Sequence, residues 1–162
     1  MSKPKKAADT GRTPMDAALR YLGSRSRTAR EIERHLDACE YGEVEVYETV
    51  ERLKELGLVN DLAFARDFVR TRLATKPISR AHLREQLLSH EVEQDAIDQA
   101  LSQVDDETQQ RSAMSIAAKY ARQYARLPEK EREEMVLRRL LSRGYSYDDA
   151  RAAMREAGEE SE

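Results

Sequence analysis

Apolar residues recur at intervals of three and four along almost the whole of this chain, and nowhere do they alternate convincingly in steps of two. That spacing gathers them on one face of a helix, so sheet architectures are set aside at the outset. The punctuation agrees. Thr13-Pro14 pairs a capping side chain with proline at the first helical position, and Gly23 closes the helix striped by Met15, Ala18, Leu19 and Leu22. Thr28 opens a second helix, with Glu31 completing a capping box and Ile32, Leu36 and Cys39 facing inward. A third is expected from about Val44 to Leu56, with Val46, Val50 and Leu53 inward and Gly57 as its stop.

Asn60-Asp61 caps a fourth, whose inner face is Phe64, Ala65, Phe68, Val69 and Leu73, and Pro77 breaks it. Ser79 begins a short helix with Leu83 and Leu87, and another follows with Ala96, Ile97, Ala100, Leu101 and Val104. Asp105 or Asp106 caps the longest helix, expected to reach Leu127 before Pro128. The last two are expected from about Glu129 to Ser142 and from about Tyr147 to Ala157, divided by Gly144.

A shift along the chain superposes two of these segments. Leu87, Leu88, Val92, Ile97, Ala100 and Leu101 fall on Leu140, Leu141, Tyr145, Ala150, Ala153 and Met154, and Asp95 falls on Asp148. The first segment carries a looser version, with Leu36 before a longer loop and Val50 and Leu53 after it. The expected fold is therefore all-α, an elongated array of three tandem three-helix modules at 14–59, 60–104 and 105–157. Units so small bury little alone, so neighbouring modules are expected to lend each other apolar surface. With no Trp and two Phe in 162 residues, the core must be aliphatic and Ala-rich, with seven Tyr at its edges and their hydroxyls wet.

The ends and the cysteine bound the setting. Residues 1–13 carry Lys3, Lys5, Lys6 and Arg12 without an apolar segment, which reads as a disordered basic tail and not a secretory signal. Residues 158–162 read as an acidic tail. No apolar run approaches the roughly 20 residues that span a bilayer, so a soluble protein without membrane contact is expected. The single Cys39 excludes an internal disulfide framework and suits a reducing, cytoplasmic compartment.

A family likeness lies in the order of these elements. Ala18-Leu19-Arg20-Tyr21-Leu22, then Arg25 and Arg27-Thr28-Ala29-Arg30-Glu31-Ile32 with Leu36, resemble the opening of RecX proteins. Gly57-Leu58-Val59-Asn60-Asp61 leading into Phe64-Ala65 resembles that family's most recognisable stretch, and Leu140-Leu141-Ser142-Arg143-Gly144-Tyr145-Ser146 its C-terminal signature. The chain departs from the pattern at Asn60, where an acid is usual, at Ser79 and Glu91, where Gly is usual nearby, and near Gln86, where Glu is usual. The resemblance implies a modulator of the RecA recombinase that lies in the groove of the RecA–DNA filament. It implies restraint of filament growth, strand exchange, ATPase and coprotease activity. It also implies no cofactor and no catalysis of the chain's own.

Charge says where such binding resides. The net charge of −3 conceals alternating blocks. Between Glu31 and Asp61 stand ten acidic and three basic residues, and between Glu91 and Gln110 seven acidic and none basic. Between Arg66 and Glu85 the balance is six basic to two acidic, and from Arg111 to Arg143 nine to four. On the long helix, Arg111, Lys119, Arg122 and Arg126 fall opposite the apolar stripe of Ala113, Ala117, Tyr120, Tyr124 and Leu127, with no acid between Arg111 and Arg126. Four cations over about 22 Å suit a phosphate backbone or an acidic protein groove. Arg66, Arg70, Arg72, Lys76, Arg80 and Arg84 form a second candidate, and Arg138, Arg139 and Arg143 beside Tyr145 a third. These scattered cations are expected to gather on one continuous side. The acidic blocks should weaken binding to naked DNA relative to a filament, whose single-stranded DNA comes with basic protein surface, and the chain is expected to act as a monomer.

Other chemistries lack their residues. The six Gly are scattered, so no phosphate loop forms. His35, His82 and His90 have neither HExxH nor zinc-ligand spacing, and His82 and His90 read as surface or cap residues. Cys39 reads as a small core residue, while Asp105-Asp106 and Asp148-Asp149 fall where helices begin. Two other readings stay open: a helix-turn-helix DNA-binding regulator, for which only Arg151 and Arg155 supply reader residues, and a helical scaffold for acidic proteins.

Overall fold

The computed structural model describes residues 12–160. Every regular element among them is an α-helix: α1 (Pro14–Leu22), α2 (Ala29–Ala38), α3 (Glu43–Glu55), α4 (Asp61–Thr75), α5 (Arg80–Ser89), α6 (Gln94–Leu101), α7 (Asp106–Gln123), α8 (Glu129–Ser142) and α9 (Tyr147–Glu159). The basic tail expected at 1–13 lies outside the described residues except for Arg12 and Thr13. Thr13 caps α1 in a reciprocal box with Asp16. At the other end α9 continues to Glu159, into the expected acidic tail, whose last two residues lie outside the described ones.

Each triplet of helices closes on its own apolar cluster. Ala18, Ile32, Leu36, Val50 and Leu53 centre the first, Ala65, Leu83, Leu87, Ile97 and Ala100 the second, and Ala113, Ala117, Leu140, Ala150 and Ala153 the third. Thus the expectation that modules lend one another apolar surface is corrected. In each cluster buried alanines stand beside leucine, isoleucine or valine, so short helices approach closely around a few aliphatic side chains.

What joins the modules is polar, and the same joint is made twice. The Thr28 hydroxyl, capping α2, donates to the carbonyl of His90 at 2.9 Å, and His90 is the C-cap of α5. The Ser79 hydroxyl, capping α5, donates to the carbonyl of Arg143 at 2.6 Å, and Arg143 is the C-cap of α8. Beside each, the first amide of the capped helix reaches the next module. Ala29 N donates to Asp61 Oδ1 at 3.0 Å, and Arg80 N to Gln109 Oε1 at 3.0 Å. Asn60-Asp61 is therefore divided in labour, since Asn60 caps α4 and Asp61 serves α2 across the joint. Glu31 likewise does not complete a box on Thr28. Its carboxylate takes a hydrogen bond from His90 Nδ1 at 2.9 Å, which makes His90 a half-buried joint residue under Phe64 and Phe68 as well as a cap.

The turn at each joint needs a left-handed residue. Gly144 sits at φ +91°, and a Cβ there would lie 2.9 Å from both Ser79 Oγ and Ala81 Cβ. Glu91, at the matching position of the second module, adopts φ 57° without glycine and forms an ion pair with Arg34 across the joint. The departure from the glycine usual there thus leaves the turn in place, at a backbone cost of about 1–2 kcal/mol.

α7 ends a turn earlier than its periodicity suggests. It stops at Gln123, because a helix running on would press the Pro128 ring against the Tyr124 carbonyl, which instead accepts from Leu127 N at 3.0 Å. Cys39 is also displaced from its expected place in the core. It is the half-buried C-cap of α2, its sulfur 3.8 Å from His35 Nε2, while the His35 ring stacks on Tyr21 at 3.9 Å.

Candidate nucleic-acid interface

Cations matter to an anionic partner only where their field is not already cancelled. Four of the candidates are paired with carboxylates: Arg70 with Asp67, Arg80 with Asp106, Arg84 with Asp98 and Arg111 with Glu107. The long-helix row is therefore corrected. Glu107, one turn before Arg111, answers its first member, and Arg126 lies beyond the end of α7. Nor do the remaining cations share one side. Arg72 lies over the Phe68 ring at 4.9 Å, in a groove between the first and second modules. Arg66 lines a groove between α4 and α6, and Arg122 another formed by α7, α8 and α9.

One group does converge, on the α7–α8 face of the third module. Arg143 donates to the Tyr120 hydroxyl at 2.6 Å, and Arg139 Nε donates to the Tyr124 hydroxyl at 3.1 Å. The Lys119 ammonium and the Arg139 and Arg143 guanidiniums stand 5.4, 5.3 and 5.4 Å from the Tyr120 ring centre. Tyr120 stacks on Tyr124 at 6.1 Å, the two being one turn apart on α7. Arg138, which precedes Arg139 on α8, is exposed, and Lys76 shares with Arg143 a crevice at the joint.

The partners are phenols, and that decides the electrostatics. A carboxylate that orients an arginine also neutralises it, whereas a phenol orients it and leaves the charge standing. Among the described residues no carboxylate pairs with Lys119, Arg139 or Arg143. The Arg143 hydrogen bond, with the neighbouring cations, holds the Tyr120 phenol below the usual tyrosine range. The bond that Arg139 donates to Tyr124 raises Arg139 above the ordinary guanidinium range. Tyr120 itself is buried, so this face offers fixed N–H edges and positive potential more than rings for stacking.

Periodicity had placed Tyr120 and Tyr124 on the inner stripe and missed their role as holders of arginine. The available signal was two tyrosines one turn apart on α7 preceding Arg138-Arg139 on the next helix. Tyr145, expected at the core edge with a wet hydroxyl, is buried beneath the same face. Burial pushes its phenol up to about 12, against the opposing influence of nearby Ser112 and Arg143.

Among the described residues no helix is long and apolar enough to cross a membrane, and no cluster of metal-ligating side chains occurs. Comparison with known proteins gives a consistent picture. Residues 15–53 match the family model described as the first three-helix domain of RecX, and residues 60–101 that of its second. A regulatory protein RecX of Streptomyces coelicolor is 32% identical over 166 aligned positions, covering 96% of this chain and 88% of the relative. One from Bacillus pumilus is 32% identical over 147 positions, covering 90% of this chain, and the chain spans 56% of that relative's length. The crystal structure of RecX from Lactobacillus salivarius superposes with a TM-score of 0.85 at 26% identity, covering 90% of this chain and 94% of that one.

Proposed function

The chain belongs to the RecX family of regulatory proteins, and from that membership we propose that it binds the RecA–DNA filament along its helical groove and restrains RecA. Recombinase, ATPase and coprotease activities all fall when it binds. Lys119, Arg139 and Arg143 supply the phosphate contacts, with Arg138 alongside and Lys76 continuing the surface across the joint. The observation that carries this reading is the pair of arginines held by the Tyr120 and Tyr124 hydroxyls. They are pre-set in direction and keep their charge, which is what recognition of a phosphate backbone requires.

The partner is the filament more than naked single-stranded DNA. The acidic surface of α3 and α6 repels a bare strand and finds basic protein surface in an assembly. The chain acts as a cytoplasmic monomer and performs no catalysis. A helix-turn-helix reading has less support, since Arg151 and Arg155 turn toward a groove of their own module that also contains Glu129 and Glu133.

The test is RecA ATPase turnover on single-stranded DNA with the chain added. Lys119→Ala/Arg139→Ala removes two exposed cations and is expected to raise the half-inhibitory concentration roughly tenfold or more, two lost charge-assisted contacts. Tyr124→Phe leaves every charge in place but frees Arg139, and a smaller rise of a few-fold is expected. Inhibition by Lys119→Ala/Arg139→Ala equal to that of the wild type would remove this face from the contact.

A further inference from the structure

The third module has a second surface at its other end. The joint uses Gln109 and Arg143, near the start of α7 and the end of α8, while the opposite ends of the three helices leave an open groove of about 530 Å³. Each wall is built mainly on one helical face. Ala118, Ala121 and Arg122 come from α7, with Ala125 just beyond its end, and Glu129, Arg132, Glu133 and Val136 come from α8. Arg151, Met154 and Arg155 come from α9. Spacing of this kind marks a helix face that packs against another helix.

The groove has an apolar floor and a charged rim. Alanine side chains on α7 let a backbone approach closely, and Val136 and Met154 supply contact area. The side chains of Arg122, Arg132, Arg151 and Arg155 form no hydrogen bond or ion pair among the described residues, and in the groove lining only Glu129 and Glu133 oppose them. Arg151 and Arg155 are one turn apart, matching carboxylates one turn apart on a facing helix.

We propose that this groove receives an amphipathic acidic helix of a partner protein, which docks as a fourth helix on the module. A nucleic acid fits it less well. The floor offers methyl groups and a thioether where a single strand wants rings to stack on, and the two glutamates repel phosphate. The α8 wall runs for roughly 10 Å, so the occupant needs two to three turns. Its apolar stripe faces Ala121, Val136 and Met154, and its acids face Arg151, Arg155 and Arg122. Neither Lys119 nor Arg139 lines this groove, and the proposal does not depend on the filament reading.

The experiment uses the full chain and a fluorescein-labelled helical peptide of about three turns, with leucines on one face and glutamates flanking them, followed by anisotropy. The wild-type chain is expected to bind it. Arg151→Glu/Arg155→Glu should weaken binding by about tenfold or more, and Ala121→Phe, which fills the floor without altering charge, should weaken it too. Lys119→Ala/Arg139→Ala should leave it within about twofold, because neither side chain lines the groove. Far-UV circular dichroism verifies that each variant is folded. Absence of wild-type binding, equal binding of a scrambled peptide of the same composition, insensitivity to Arg151→Glu/Arg155→Glu, or displacement by a dT oligonucleotide would each overturn the proposal.

Discussion

Gly144 and Tyr145 are neighbours in the chain with opposite reasons for being there. Gly144 stands where a side chain has neither the backbone freedom nor the room, since Ser79 and Ala81 close in on it. Gly144→Ala is expected to cost about 2–4 kcal/mol in urea unfolding, combining a left-handed backbone with overpacking. Glu91→Gly, at the matching turn, relieves backbone strain but loses the Arg34 pair, so a change within about 1 kcal/mol is expected. Equal effects at the two turns would contradict this reading of them. Tyr145 adds a pH dependence. Its folded pKa of about 12 lies above the ordinary tyrosine value of 10.0, so its contribution to stability is full below pH 10 and is lost as pH rises through 12. Thermal melts between pH 9 and 12 should show the wild type losing about 2 kcal/mol more than Tyr145→Phe over that range. Parallel loss in both proteins would contradict a buried neutral phenol.

The helices are legible in the sequence because their signals are local. Thr13, Thr28, Asn60, Ser79 and Asp105 each cap the helix that their spacing announces, and the stripes around Leu36, Leu87 and Leu140 mark the buried faces. The end of α7 is not legible from periodicity, since Pro128 acts on a carbonyl four residues upstream and takes Arg126 off the helix. Nor are the joints. Thr28 and His90, or Ser79 and Arg143, lie more than 60 positions apart, and one hydroxyl meeting one carbonyl leaves no periodic trace. The partners of the cations escaped for the same reason, because helical spacing gives a face but not the phenol or carboxylate that waits across from it. Thr28→Val and Ser79→Ala remove the joint donors and a helix cap together, and each is expected to cost about 2–3 kcal/mol. As the modules uncouple, the urea transition should also become less steep. An unchanged midpoint and slope would mean that the joints do not hold the array.

Taken whole, the molecule is three small cores linked by two copies of one polar joint, so each core is closed without its neighbours and the joints set their relative orientation. The charge follows that division. The first module is acidic along α3, the second pairs Arg70, Arg80 and Arg84 with carboxylates, and the third carries the arginines held by phenols. A near-neutral chain thereby presents a local positive face without a basic total. The central claim, that this face meets phosphates in the filament, is tested most directly by the salt dependence of binding to a RecA filament on single-stranded DNA. Each phosphate contact releases counterions and steepens the slope of log K against log salt by about 0.7. The wild-type slope should therefore exceed that of Lys119→Ala/Arg139→Ala by about 1.4, with naked single-stranded DNA bound more weakly throughout. Identical slopes for the two proteins would contradict it.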